Sequence, residues 1–162
     1  RFETQCLELK SRYDIIDKSQ VKLKENFDIL EPRALTRDIS EISSFTATSF
    51  WDASWNPSNA CFLSSRAWIA REKENQHIIA HFPGNCTISG ITTRGRGQEY
   101  HQYVTSYKLE YLSIDNHWKN IGVFDGNSGL NSLKRNDFSP VTGQALKLSV
   151  LSYNEYPVMK IA

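Results

Sequence analysis

The sequence predicts an all-β fold, a β-sandwich, preceded by an N-terminal α-helix. Three observations carry this. Beyond Pro32, short runs rich in Ile, Val, Thr and aromatic residues alternate with Gly, Asn, Ser and Pro, the texture of many short strands joined by turns. Within them, Tyr103, Thr105, Tyr107, Leu109 and Tyr111 alternate with Val104, Ser106, Lys108 and Glu110, the period of a half-buried strand. Before Pro32 the period is different and helical.

The helical segment spans residues 1–30. Its apolar residues fall at Cys6, Leu9, Tyr13, Ile16, Leu23, Phe27 and Leu30, with Gln20 in the one missing slot. That 3-4 alternation is an a/d heptad. Six basic and six acidic residues occupy the other positions of residues 1–30, leaving the outer face neutral. Proline cannot continue a helix and restricts its predecessor, so Pro32 marks the stop. Two readings fit: one amphipathic helix lying on its own domain, or a coiled coil whose seam (Leu9, Tyr13, Ile16, Leu23, Phe27) makes an oligomer or larger assembly.

The strands follow in residues 31–162. They are expected at His77–Phe82, Thr87–Thr92, Tyr103–Tyr111, Trp118–Val123 and Ala145–Leu151. Turns are expected at Pro83-Gly84-Asn85, Gly95-Arg96-Gly97, Asp115-Asn116, Asp125-Gly126-Asn127 and Asn154-Glu155-Tyr156-Pro157, on the composition each turn demands.

Composition narrows the function classes. The chain has 162 residues, enough to bury a core without staples. A net charge of +1 supplies no field that would steer it to nucleic acid, and none is expected as a partner. No apolar run approaches the ~20 residues a membrane helix needs, so this segment is not transmembrane. Three cysteines, Cys6, Cys61 and Cys86, make an odd count rather than a disulfide framework. No cysteine or histidine spacing suggests a metal, and no cofactor is expected. No initiator Met or signal peptide opens the sequence, so it reads as part of a longer protein.

The β region resembles the discoidin, or factor V/VIII type C, family. The blocks that carry the resemblance are Glu31-Pro32-Arg33-Ala34-Leu35 with Ile39; Phe45-Thr46-Ala47-Thr48-Ser49; Trp55-Asn56-Pro57-Ser58-Asn59-Ala60; and Ser65-Arg66-Ala67-Trp68. The most specific is Thr87 to Gly97 followed by Tyr103 to Tyr111, with Trp118, Gly126-Asn127 and Leu151 to Pro157 completing the order. The resemblance implies an eight-stranded, mainly antiparallel jelly-roll sandwich whose loops at one end bind ligand. Members bind carbohydrates, phospholipid head groups, collagen or other proteins, often in cell adhesion. Others are intracellular, in ciliary transport and ubiquitin-ligase machinery, and the family shares no catalytic mechanism. An extracellular place follows from the adhesion members. An intracellular one follows from the missing terminal disulfide, whose matching positions here are near Ile29 and at Val158. An apolar pair there replaces a bridge worth ~2–5 kcal/mol. His77 and His81 stand where the family has Trp and Asp, Lys147 where it has Arg, and Arg94 where it has Gln.

The ligand-binding candidates are Trp51, Asp52, Arg94, Arg96, Tyr100, Asn127 and Tyr153. An exposed Trp51 beside Asp52 suits stacking on a sugar or entry into a bilayer interface; the plainer reading folds it onto its own domain. Arg94 and Arg96 offer donor forks for carboxylate, phosphate or hydroxyl, although Arg96 also fits a structural role. Asn127 and Tyr153 sit in turn chemistry that could rim the same surface. His77 and His81 would pair on a helix but lie in a strand, without a metalloprotease glutamate. Asn85-Cys86-Thr87 is a glycosylation sequon. No Gly-x-Ser-x-Gly and no phosphate-loop lysine occurs, so no catalytic residue is nominated. The expected function is a non-catalytic module recognising a carbohydrate, lipid head group or protein surface. The alternative is a structural docking domain within a larger assembly.

Overall fold

The computed structural model describes residues 42–97 and 100–162. The heptad seam of Leu9, Tyr13, Ile16, Leu23 and Phe27 lies outside the described residues, as do Cys6, Ile29 and the Glu31–Ile39 block. The described part is an all-β antiparallel sandwich. Its strands are β1 (Ser44–Ala47), β2 (Trp68–Ile69), β3 (His77–Arg94), β4 (Tyr103–Ser113), β5 (Trp118–Asp125), β6 (Leu133–Asn154) and β7 (Val158–Ile161). Hydrogen bonding gives the order β2-β7-β3-β6-β4-β5, with β1 also paired to β3.

The strand count corrects the expected eight: seven strands lie among the described residues, because two are long and bent. Pro83-Gly84-Asn85, expected as a turn between strands, instead forms a bulge inside β3. His81 faces Ala145 and Cys86 faces Gly143, so β3 fits three surplus residues where β6 needs none. The answering irregularity lies on β6, between the Ile88–Val141 and Gly90–Asp137 pairs. Pro140 sits in that stretch, where its missing N–H breaks no ladder bond. Turn-forming residues here bend paired strands rather than separate them.

A second bulge corrects the alternation read in β4. Thr105 is surplus between Val104 and Ser106 in the ladder to β6. One extra residue flips every side chain beyond it. Val104 therefore turns inward on the side of Tyr107 and Leu109, all buried, whereas Thr105 does not join them.

The core joins Trp68 of β2 and Met159 and Ile161 of β7 to Ile78, Ile91, Tyr107, Leu109 and Leu148 of β3, β4 and β6. A smaller cluster of Ala67, Ile69 and Val158 packs against Trp55 and Tyr156. Val158 is thus an apolar core residue. Cys61 and Cys86 are free thiols. No helix among the described residues is long and apolar enough to cross a membrane.

On the outer face, Lys147 reaches Glu110 (Nζ–Oε2, 2.9 Å) and Lys108 reaches its other oxygen (3.0 Å). Lys147 also lies over the Trp118 ring, 4.5 Å from its centroid. Burial works to raise the Glu110 carboxyl, but hydrogen bonds and charge from Lys147 and Lys108 hold it below the usual range. Burial, then the Lys147 charge, depress the nearby His77 imidazole, with Glu110 opposing. His81 hydrogen-bonds Thr46 of β1 (2.8 Å). The two histidines therefore serve strand faces; among the described residues no His, Cys, Asp and Glu group could hold a metal.

Candidate functional site

Three segments meet at a pocket beside the small cluster. The first follows β1. The Trp68 indole N–H donates to the Ser49 carbonyl (2.8 Å), and the Trp51 amide donates to the Ile69 carbonyl (2.9 Å). These bonds pin the loop to β2 and leave the Trp51 side chain half exposed. The Asp52 carboxylate accepts from the Ser54 amide (2.7 Å), starting a short 3-10 turn at Ala53–Trp55. That turn sets Trp55 on the cluster of Ala67, Ile69 and Val158.

The second segment joins β3 to β4. Gly97 has φ 71°, a conformation that glycine adopts without a Cβ penalty, and its amide donates to the Leu130 carbonyl (3.0 Å). The Arg96 amide donates to the Gln102 carbonyl (3.0 Å), and Arg96 Nη1 donates to Gln102 Oε1 (2.6 Å). Held from two sides, the guanidinium slides between two rings: Cζ lies 4.4 Å from the Trp55 centroid and 3.9 Å from that of Tyr100. Arg96 Nε is buried without a hydrogen-bond partner among the described residues. Burial lowers the Arg96 pKa from its ordinary value, and Tyr100 opposes that; arginine stays charged throughout the working range.

The third segment is the turn after β6. Glu155 takes φ 55°, which presents Tyr156 back toward Trp51. Their rings meet edge to face, 5.7 Å apart at 86°. The Tyr156 hydroxyl donates to the Arg71 carbonyl (2.9 Å).

Between these segments lies a cavity of about 300 Å³, lined by Trp51, Trp55, Ile69, Arg96, Tyr100, Gln102 and Tyr156. Four aromatic rings and one oriented guanidinium surround it. Rings offer apolar faces, and a guanidinium fork is able to donate to oxygen acceptors.

Of the seven residues nominated from sequence, the structure brings Trp51, Arg96 and Tyr100 to this cavity. Asp52 stands beside it with its carboxylate used as a cap. Arg94 ends β3 and donates to Asn131 Oδ1 (2.7 Å), away from the lining. Asn127 is buried, and its amide donates to the Thr93 carbonyl (3.0 Å) and the Ser132 carbonyl (2.6 Å), so it binds its own loop. Tyr153 pairs with Val104 in the β4–β6 ladder and lies outside the lining. Trp55, Ile69, Gln102 and Tyr156 were not nominated. Trp55 and Tyr156 carried a signal, an aromatic ring next to Asn-Pro or Pro in a turn; Gln102 carried none.

One group has the residue types of a hydrolytic triad. Ser113 Oγ hydrogen-bonds the Asp115 carboxylate and donates to the His117 carbonyl (2.7 Å), while His117 Nδ1 meets the Asp115 carbonyl (2.7 Å). The serine contacts the histidine backbone rather than its ring, so the imidazole is not placed on the hydroxyl as a triad requires. These bonds lock the β4–β5 turn around Asn116, whose φ is 59°.

Comparison with known proteins accords with this architecture. Discoidin-2 of Dictyostelium discoideum is 29% identical over 100 residues, which is 59% of this chain and 38% of that protein. The chain thus spans about two fifths of its curated relative. The wild-type discoidin II structure from the same organism superposes with TM-score 0.64 at 22% identity, covering 72% of this chain and 52% of that one. A Clostridium perfringens module solved with GalNAc-β-1,3-galactose, CpGH89CBM32-5, gives TM-score 0.62 at 21% identity, covering 73% of this chain and 88% of that one. The model of the F5/8 type C domain matches residues 44–162, and the chain belongs to that family.

Proposed function

We propose that this chain is a non-catalytic recognition module that binds a saccharide in the pocket of Trp51, Arg96 and Tyr100. The observation that carries the reading is the convergence of four rings and a hydrogen-bonded guanidinium on one cavity of about 300 Å³. Ring faces pack on the C–H face of a pyranose, and an arginine fork meets its oxygens. That volume lies at the lower end of the range for small-molecule sites. The ligands of fold neighbours support the choice: one is solved with GalNAc-β-1,3-galactose and another with chitotriose.

A glycan array probed with the full chain and with Trp51→Ala tests the reading. Binding to a defined subset of glycans, lost in the variant at unchanged thermal stability, is the expected result. An array without specific signal would reject it.

The docking alternative has one observation in its favour: Cys61 and Cys86 are free, as expected where thiols are kept reduced. Thiol labelling under denaturing, non-reducing conditions checks this. Both cysteines labelling fully fits a docking block, whereas a disulfide between them fits an extracellular lectin-like role.

A further inference from the structure

We infer that the pocket prefers an acidic saccharide, one carrying a carboxylate or sulfate, over a neutral one. This rests on the saccharide reading above and goes further by naming the ligand class. Three cations already lie against the pocket rings. Arg96 lies over both Trp55 and Tyr100, Arg66 approaches Trp55 from 5.5 Å, and Lys73 stands 4.9 Å from the Tyr156 centroid. A ring holds a cation through its quadrupole without neutralising the charge.

No described residue of the lining offsets that charge. None of the cavity's described residues carries a carboxylate. Asp52, Glu72 and Glu74 lie on the neighbouring loops, but among the described residues no ion pair joins any of them to Arg66, Lys73 or Arg96. Among the described residues, that positive charge faces whatever enters without an ion pair.

The donors are also arranged for an acid. Gln102 occupies Arg96 Nη1, and among the described residues no hydrogen bond is made by the other terminal nitrogen, Nη2. A carboxylate or sulfate oxygen is the strongest partner for a guanidinium N–H. Of the four rings, Trp51 alone has no cation of the described residues over its face, and it is half exposed. It is therefore free to take the pyranose while Arg96 takes the acid.

Isothermal titration of the full chain with 3′-sialyllactose, trigalacturonate and lactose tests this. At least one acidic probe should bind about tenfold or more tightly than lactose, the gain expected of one charge-assisted hydrogen bond. Raising the salt to ~0.5 M should shrink that preference. Lys73→Gln, at an exposed side chain, should reduce it, and Arg96→Gln should abolish it; if the Arg96 variant does not fold, Lys73→Gln carries the reading. Lactose binding as tightly as both acidic probes overturns the inference and leaves the saccharide reading intact. So does an acid preference unchanged in a folded Lys73 or Arg96 variant. If none of the three probes binds but the glycan array gives neutral hits, the inference alone fails; if the array is blank as well, the saccharide reading fails with it. Vesicles containing phosphatidylserine, run in parallel, separate the sources of negative charge. Their capture in preference to both acidic sugars overturns the inference in favour of a lipid headgroup.

Discussion

Arg96 and Gln102 are joined twice, amide to carbonyl at 3.0 Å and guanidinium to side-chain oxygen at 2.6 Å. The double link makes a loop arginine into a fixed wall of the pocket. Under the proposed function it would also tie saccharide binding to the loop positions of both residues. Pre-organisation of this kind limits the ordering cost of binding.

Two tryptophans four residues apart should separate binding from stability. Trp51 is half exposed and touches Tyr156 only edge-on, so Trp51→Ala should cost less than about 1 kcal/mol of stability. Its saccharide affinity should fall about tenfold or more, the loss typical of an aromatic anchor. Trp55 packs on Ala67, Ile69 and Val158 and carries the Arg96 guanidinium. Trp55→Ala should cost about 2 kcal/mol or more and weaken binding as well. Thermal denaturation and titration of both variants check the contrast. Equal stability losses would show that the two rings do not divide the work.

Asn127 tests the loop beyond the pocket. Its amide nitrogen satisfies two backbone carbonyls, at 3.0 Å to Thr93 and 2.6 Å to Ser132, in a buried position. Asn127→Ala should cost about 1–3 kcal/mol by orphaning both acceptors. Asn127→Asp should cost more, about 3 kcal/mol at least, because a carboxylate without donors then faces two carbonyl oxygens. Urea denaturation of the two variants gives the order. Asp tolerated better than Ala would mean that the amide nitrogen is not what holds this loop.

These cases also show what a one-dimensional reading can reach. The all-β class and the family resemblance were legible, because strand periodicity and turn composition are local properties. Trp51 and Tyr100 were legible as candidates because exposed aromatic residues in loops are rare enough to stand out. What failed was non-local. Whether Pro83-Gly84-Asn85 turns the chain or bulges within β3 depends on the pairing of β6, some sixty residues on. The phase flip at Thr105 likewise depends on its partner strand. Trp55 read as a marker of the fold, and only the turn after β6 shows that its ring also lines a cavity with Tyr156. Gln102 was invisible, since nothing in a lone glutamine announces an arginine six residues earlier.

The Glu110 network should respond asymmetrically to its two ends. Glu110 is mostly buried and neutralises both Lys147 (2.9 Å) and Lys108 (3.0 Å). Glu110→Gln strands two cations, one of them largely buried, and should cost about 1–2 kcal/mol. Lys147→Met leaves Glu110 with Lys108 and keeps a side chain under Trp118, so it should cost less. The double variant should recover part of the Glu110→Gln loss, because it removes the stranded Lys147 charge. Chemical denaturation across this double-mutant cycle gives the coupling directly. Strict additivity would mean that solvent already screens the pair.

His77 gives the fold a pH dependence whose sign follows from its surroundings. Burial, and then the Lys147 charge, disfavour the imidazolium, while Glu110 opposes them; the folded pKa lies below the ordinary 6.5. The unfolded chain therefore binds this proton first as pH falls, and stability rises with pH wherever that is so. The contribution is fully present above about pH 6.5 and is lost as pH falls through the folded pKa. Glu110 adds a second loss at lower pH, below the usual carboxylate range, because its folded carboxyl titrates below its unfolded value. Melting temperatures taken from pH 8 down to pH 5 should thus decline, and His77→Gln should flatten the upper part of that curve. If the slope survives unchanged in His77→Gln, burial and the Lys147 charge at this imidazole are not its source.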